Sequence, residues 1–291
     1  MKINGIRFII GSACNFDCFY CHHEGCTMKD KPFKKDDYTN KIKSLQTFCF
    51  NNNIHDISIT GGEPFLYPEK LKILLEHFAQ KPFKLVINSN GSLINKHIPL
   101  IKKLNTIEFH INLSSLNNST HSKIINKSLL NETFQSLEEL KKLQHIVKLN
   151  IICLKTINDN ELIDLHNYAI KNKMEARYLV FYDSKDKYSS LIMTEQEICK
   201  LFNTVIVKRH SYGLIETKDN IQIVKCLCID KQCEDCELNT YMHINPDLTI
   251  NYCLKKDDSI SVDYSNQNNI TLSFETAITK QKEICKNECC I

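Results

Sequence analysis

The 291-residue chain sets 37 Lys and Arg against 34 Asp and Glu, is 42% hydrophobic and holds 15 cysteines, so it can bury one full core and leave room for a second small module. A formal charge of +3 with no run of five or more Lys or Arg provides no electrostatic footprint for nucleic acid or an anionic membrane, and no apolar stretch approaches the roughly 18 residues that a membrane span needs. MKINGIRFII is too short and interrupted to read as a secretory signal; a cytoplasmic location is expected, where thiols stay reduced and so many cysteines read as metal ligands rather than disulfides.

From the start to about residue 182, short β-branched runs alternate with amphipathic segments, the signature of repeated βα units around a parallel sheet. In chain order the spacing predicts a strand over Ile6 to Gly11, a helix over Asp37 to Phe50, a strand over Asp56 to Thr60, a helix over Glu69 to Gln80 and a strand over Phe83 to Asn88. There follow a helix over Lys96 to Leu104, a strand over Ile107 to Leu113, a helix over Glu132 to Leu143, a strand over Val147 to Lys155, a helix over Asp159 to Asn172 and a strand over Ala176 to Tyr182. Thr194 with Glu197 forms a capping box that opens a further helix to about Lys208. Six strands suggest an α/β open or partial barrel, a fold that places its chemistry in the loops after the carboxyl ends of the strands. After about residue 212 the texture changes. Eight of the cysteines fall there, with short strand-like pieces at Met242 to Ile244 and Leu248 to Tyr252 and a polar segment, Asp257 to Asn269. The division expected is residues 1–212 as the barrel and 213–291 as a small cysteine-rich module folded around metal.

Arginine occurs only at Arg7, Arg177 and Arg209 in a chain that otherwise uses lysine. Each can mark a place that needs a planar fork; for Arg209 a surface role at a helix end is the alternative.

The loop after the first strand reads Cys14-Asn15-Phe16-Asp17-Cys18-Phe19-Tyr20-Cys21. Three thiolates at this spacing can wrap one face of a cubane cluster and leave its fourth iron without a protein ligand. A structural zinc loop completed by His22, His23 or Cys26 is the alternative. At the end of the second strand stands Thr60-Gly61-Gly62-Glu63-Pro64, with glycines that let the backbone approach a ligand closely. The two motifs together resemble the radical S-adenosylmethionine (SAM) superfamily. The resemblance implies a partial (β/α)6 TIM-like barrel, a 4Fe-4S cluster on Cys14, Cys18 and Cys21, and SAM whose amino group is received by the Thr60, Gly61, Gly62 and Glu63 segment. It also implies SAM contacts from the backbone at Tyr20, from Asn90 in the Ser89-Asn90-Gly91 turn, from Ser114 and from Asn150. The Asp often found beside Ser in the fourth strand of that family is absent from Asn112-Leu113-Ser114-Ser115.

Two branches of the superfamily are similar. Cys21-His22-His23-Glu24-Gly25, Lys148 to Lys155, Glu175-Ala176-Arg177-Tyr178-Leu179 and Cys233-Glu234-Asp235-Cys236 resemble the GTP 3′,8-cyclase branch. Yet Glu237-Leu238-Asn239-Thr240 stands where that branch places arginines, and no arginine follows Arg209, so recognition of a triphosphate by that route is not expected. Cys236, Leu248 and Cys253, followed by Cys285 and Cys289, resemble the auxiliary-cluster ("twitch") domains of peptide maturases, with Leu248 in place of a usual glycine. Cys226, Cys228, Cys233, Cys236, Cys253, Cys285, Cys289 and Cys290 suffice for one or two auxiliary 4Fe-4S clusters, a zinc ribbon on Cys233 and Cys236 being the alternative.

The activity implied is reductive cleavage of SAM to a 5′-deoxyadenosyl radical that abstracts hydrogen from a substrate, with electrons from a flavodoxin- or ferredoxin-type partner. The preferred substrate is a ribosomal peptide that receives a crosslink, a thioether or an epimerisation. A nucleotide or other small molecule is the alternative, and a non-catalytic zinc or iron-sulfur protein is the reading from another class. Arg177, at the end of the last strand, can bind a substrate carboxylate or phosphate, and His22, His23, Glu24 and Tyr67 lie near enough to the motifs to move protons.

Overall fold

Ile6 and Phe8, Ile57 and Ile59, Leu85 and Ile87, Phe109 and Ile111, and Val147, Leu149 and Ile151 repeat with the period of two that sends side chains to one face of a strand. In the computed structural model of the chain, which describes residues 3–21, 32–183, 187–210, 213–225, 241–253 and 258–288, all of them join one hydrophobic core. The strands are β1 (Gly5–Ile9), β2 (Asp56–Thr60), β3 (Lys84–Ser89), β4 (Glu108–Asn112), β5 (Ile146–Cys153) and β6 (Glu175–Val180). They pair in parallel, each with the next, by crossovers that carry α1 (Lys35–Asn51), α2 (Pro68–Phe78), α3 (Ile98–Ile101), α4 (Asn118–Ile125) with α5 (Leu130–Lys142), and α6 (Leu162–Lys171).

Ile42, Leu45 and Phe48 of α1, Leu71 and Leu74 of α2, Leu137 and Leu140 of α5, and Leu162 and Leu165 of α6 enter that same core. The described helices therefore cover one face of the sheet, as in a barrel segment and unlike a doubly wound sheet. The other face carries Ser58, Asn88, Glu108, His110, Asn112, Lys148, Asn150 and Arg177, alternating with the core residues.

The sheet continues past the six strands on both sides. On the β6 side lie β9 (Gln222–Val224), parallel to β6, and then β8 (Leu214–Thr217) and β7 (Ile206–Arg209), antiparallel. On the other side β10 (Tyr241–Ile244) lies parallel to β1, followed by antiparallel β11 (Ile250–Asn251) and β12 (Ser259–Ile260). The described strands thus form one 12-stranded sheet.

Several elements depart from the expectations. The helix that opens at the Thr194 capping box is α7 (Glu195–Leu201), and it stops well short of Lys208. Asn203 takes a left-handed φ of 48°, a common helix terminator, and the β-branched Val205-Ile206-Val207 run then enters β7. Arg209 consequently lies on a strand, where its guanidinium meets Glu195 at 2.5 Å. The helix expected over Lys96 to Leu104 is a 3-10 turn, Ile94–His97, and the single turn α3, because Pro99 has no N–H to extend a ladder. The polar stretch ending at Asn269 runs into an unforeseen helix, α8 (Gln267–Glu288). Ile270, Phe274 and Ala277 form its buried stripe, with Phe274 stacked on Phe48 at 4.4 Å. Among the described residues no helix is long and apolar enough to cross a membrane.

Candidate active site

The carboxyl ends of β1 and β2 are tied by backbone alone. Ile10 N–H donates to the Thr60 carbonyl, Gly62 N–H to the Gly11 carbonyl and Glu63 N–H to the Ala13 carbonyl, each at 2.9 Å. Such an approach leaves no room for side chains. A Cβ on Gly62 would stand 2.0 Å from the Ala13 carbonyl oxygen, and one on Gly61, at φ 140°, 2.6 Å from the Gly11 oxygen. Gly11 lies under the ring of Tyr67, whose hydroxyl accepts from Ala13 N–H at 2.7 Å. Tyr67 thus braces the approach to Cys14. Beside it the buried Lys70 Nζ donates to the Ile10 carbonyl at 3.2 Å and faces the rings of Phe33, Tyr38 and Tyr67 at 5.5 to 5.8 Å.

Glu63 sits at the start of the 3-10 turn Pro64–Leu66 with its side chain fully buried. Its Oε1 accepts from Ser89 Oγ at 2.8 Å and Phe65 N–H at 3.1 Å, and its Oε2 accepts from Asn90 N–H at 2.8 Å. Burial outweighs these bonds and raises the carboxyl to about 7. The GGEP acid therefore holds the β3 turn. Asn90 carries the tie onward: its Nδ2 donates to Asn15 Oδ1 at 2.8 Å and lies 3.8 Å from Cys14 Sγ, while Asn15 Nδ2 donates to Ser92 Oγ at 2.8 Å. Three strand ends and the cysteine loop form one network.

The loop is clamped from the other side by α4, since Asp17 N–H donates to the Ile125 carbonyl at 3.0 Å and Asn126 Nδ2 to Asp17 Oδ2 at 2.8 Å. Phe16 fills a small separate core with Ile124, Ile125, Ile152, Leu154 and Phe181. Cys14 and Cys21 are open at the surface and Cys18 is half-buried. The Cys14 sulfur sits back against Phe16 N–H, and burial is the main cause that raises its thiol. Burial pushes Cys18 up to about 12, against the opposing hydrogen bond from the Tyr20 hydroxyl, and the charges of Cys21 and Cys14 add to the rise. The three soft sulfurs are thus close enough to feel one another. Among the described residues no three His, Cys, Asp or Glu side chains converge as a site for one metal ion. A donor set of this kind fits a multi-iron cluster, whose cysteines bind separate corners and lose their protons on binding.

Farther along the rim, Ser114 Oγ accepts from Ile152 N–H at 3.1 Å and its carbonyl accepts from Asn158 Nδ2 at 2.7 Å, so Ser114 ties β4 to β5. Asn158 also donates to the Ile152 carbonyl at 2.8 Å and accepts from Leu154 N–H at 2.9 Å, a clamp that the sequence signalled only as an Asn after a strand. Asn150 differs. Its Oδ1 is buried and has no hydrogen-bond partner among the described residues, an acceptor suited to a ligand that brings its own donors. In register with it are Asn112 on β4, Arg177 on β6 and Gln222 on β9. Arg177 donates to His110 Nδ1 at 3.0 Å, a partner that no spacing in the sequence announced.

Of the tail cysteines only Cys253 is fully described, half-buried at the end of β11 with its N–H bonded to Asn251 Oδ1 at 2.9 Å. Cys226, Cys228, Cys233, Cys236, Cys289 and Cys290 lie outside the described residues, as do His22, His23, Glu24 and Cys26, and the Cys285 side chain is likewise not described. Leu248, in the turn between β10 and β11, holds a left-handed φ of 66° while buried. That conformation costs a non-glycine residue about 1 kcal/mol.

A family model described as the Radical SAM superfamily matches residues 8–169. The GTP 3′,8-cyclase of Nautilia profundicola is 28% identical over 203 residues, covering 68% of this chain and 62% of its own length; the chain thus spans less than two thirds of that relative. The GTP 3′,8-cyclase of a Synechocystis species is 24% identical over 274 residues, covering 90% of this chain and 82% of its own. Among solved structures, Streptococcus suis SuiB bound to the precursor peptide SuiA superposes with a TM-score of 0.66 over 92% of this chain and 64% of its own, at 14% identity, a likeness of fold.

Proposed function

The chain belongs to the radical SAM superfamily, and from that premise we propose that it is a radical SAM enzyme with Cys14, Cys18 and Cys21 as the ligands of its SAM-binding 4Fe-4S cluster. The observation that carries the reading is the joined rim: the cysteine loop, the Thr60 to Glu63 segment and the Asn90 turn held as one network, with the unpartnered Asn150 Oδ1 along the same edge. When bound, the cluster and SAM supply a 5′-deoxyadenosyl radical that takes hydrogen from an unactivated C–H bond. The protein's part is positioning. Tyr67 and Lys70 fix the backbone before Cys14, Glu63 fixes the β3 turn through Ser89 and Asn90, and Phe16 seats the loop in its own apolar cluster.

For the substrate, a peptide maturase is the preferred reading. Support comes from the twitch-like cysteine pattern and from the left-handed backbone at Leu248, where that pattern uses glycine. A small-molecule enzyme near the cyclases is the second reading, favoured by the identity to those enzymes. Residues 213–291 would carry one or two auxiliary clusters, and a flavodoxin- or ferredoxin-type protein would supply electrons. The test is anaerobic reconstitution of the full chain with iron and sulfide, then assay of methionine and 5′-deoxyadenosine after addition of SAM and dithionite. Cys18→Ala should abolish both products while iron bound through the tail remains; deoxyadenosine from the variant at the unaltered rate overturns the assignment.

A further inference from the structure

The face of β4, β5 and β6 that no described helix covers carries a charge network that the rim does not use. His110 of β4, Lys148 of β5 and Glu175 of β6 stand in one register row with Asn88 of β3, and Arg177 stands one row nearer the rim. Arg177 donates to His110 Nδ1 at 3.0 Å, and His110 Nε2 meets Glu108 Oε1 at 2.5 Å. Arg177 Nη1 stands 3.0 Å from Nδ1 and 3.4 Å from Nε2, and a guanidinium so close disfavours an imidazolium; a neutral ring has its one N–H for Glu108. Burial, joined by the Arg177 and Lys148 charges, depresses the His110 pKa against the opposing pull of Glu108. Lys148 Nζ lies 3.3 Å from Glu108 Oε1 and 3.3 Å from Glu175 Oε2.

Within this set, two carboxylates balance two cations around a neutral ring. Lys148 is engaged by acids on both neighbouring strands, and Glu108 faces the same space. A polyphosphate entering here would meet Glu108 and Glu175 at close range, and like charges at about 4 Å repel by about 1 to 4 kcal/mol depending on exposure. A group of low net charge meets no such penalty and can exchange hydrogen bonds with either sign.

We infer that Glu108 is a specificity-determining residue: by engaging His110 and Lys148 it fits this face of the sheet to a substrate group of low net charge and turns polyphosphates away. The inference rests on the proposed function and adds to it that substrate reaches this face, one row below Asn150 and Arg177. It also separates the chain from relatives whose name specifies a nucleoside triphosphate.

The test is isothermal titration of the full-length reconstituted protein with inorganic tripolyphosphate at low ionic strength. The unaltered protein should give no saturable heat, Glu108→Gln should gain affinity by about tenfold or more, and Lys148→Met added to Glu108→Gln should remove the gain. Tight tripolyphosphate binding by the unaltered protein overturns the inference, as does a Glu108→Gln variant that gains nothing or a gain that survives Lys148→Met. If Glu108→Gln does not fold, Glu108→Ala, which also removes the charge, is read in the same way. SAM cleavage without substrate is assayed on the same preparation; its failure beside the expected binding pattern would remove the proposed function and leave the charge selectivity standing.

Discussion

Two regions of the sheet use polar residues in opposite ways. At the rim of β1 to β3, Glu63, Ser89 and Asn90 are each at most 5% exposed and bond mainly to backbone or to one another. On the opposite face of β4 to β6 from the described helices, Glu108, Lys148 and Glu175 are 25%, 23% and 52% exposed, and their bonds run between long flexible side chains. Buried, short-tethered polar groups hold one geometry and are expensive to disturb. Exposed ion pairs are worth little and rearrange easily. The first arrangement suits a cofactor that must always sit in one place, and the second suits a surface that is tuned to a ligand.

The contrast can be broken most severely at Gly62. A Gly62→Ala side chain has 2.0 Å to a backbone oxygen that cannot move aside, and we expect a loss of about 3 kcal/mol in urea unfolding together with failed iron loading; a midpoint within 0.3 M of the unaltered protein would contradict it. Glu63 sharpens the same side through pH. Its folded carboxyl at about 7 stands above the ordinary 4.5, so its contribution is fully present below pH 4.5 and is lost as pH rises through 7, a decline of about 3 kcal/mol. Glu63→Gln should flatten that decline, and an unchanged profile would assign it elsewhere. Tyr67→Phe removes the acceptor of Ala13 N–H and should cost about 1 kcal/mol, seen as faster amide exchange at Ala13. On the β4 to β6 face Lys148→Met should change stability by about 0.5 kcal/mol only, and added salt should erase the difference; a salt-independent loss as large as that at Gly62 would put the two regions on one footing.

The strands and the site loop were legible because their signals are local. Period-two aliphatic residues, Ile57 and Ile59 in β2 and Leu85 and Ile87 in β3, mark those strands, and the cysteine spacing and paired glycines need no distant partner to be recognised. What escaped depends on tertiary context. α8 was hidden because its buried stripe of Ile270, Phe274 and Ala277 lies within a polar run and is stabilised by Phe48, more than 200 residues away. β7 was hidden because the preceding capping box signals where a helix begins, while its end was set by Asn203. The motif positions of Glu63 and Ser114 carry no signal of the strand-end hydrogen bonds that both side chains make. Arg177 stood out by its rarity, but its partner His110 came from a different strand.

The place of β10 has a consequence for how the chain comes to be made. β1 has two neighbours in the finished sheet, β2 just after it and β10 more than 230 residues after it. On the ribosome the first strand therefore waits with one open edge until most of the polypeptide has emerged, since long-range parallel pairing must follow synthesis of the partner. Sulfur donors just beyond that strand would be assembled on a half-bordered scaffold, so iron delivery during translation and iron delivery after release need not act on the same species.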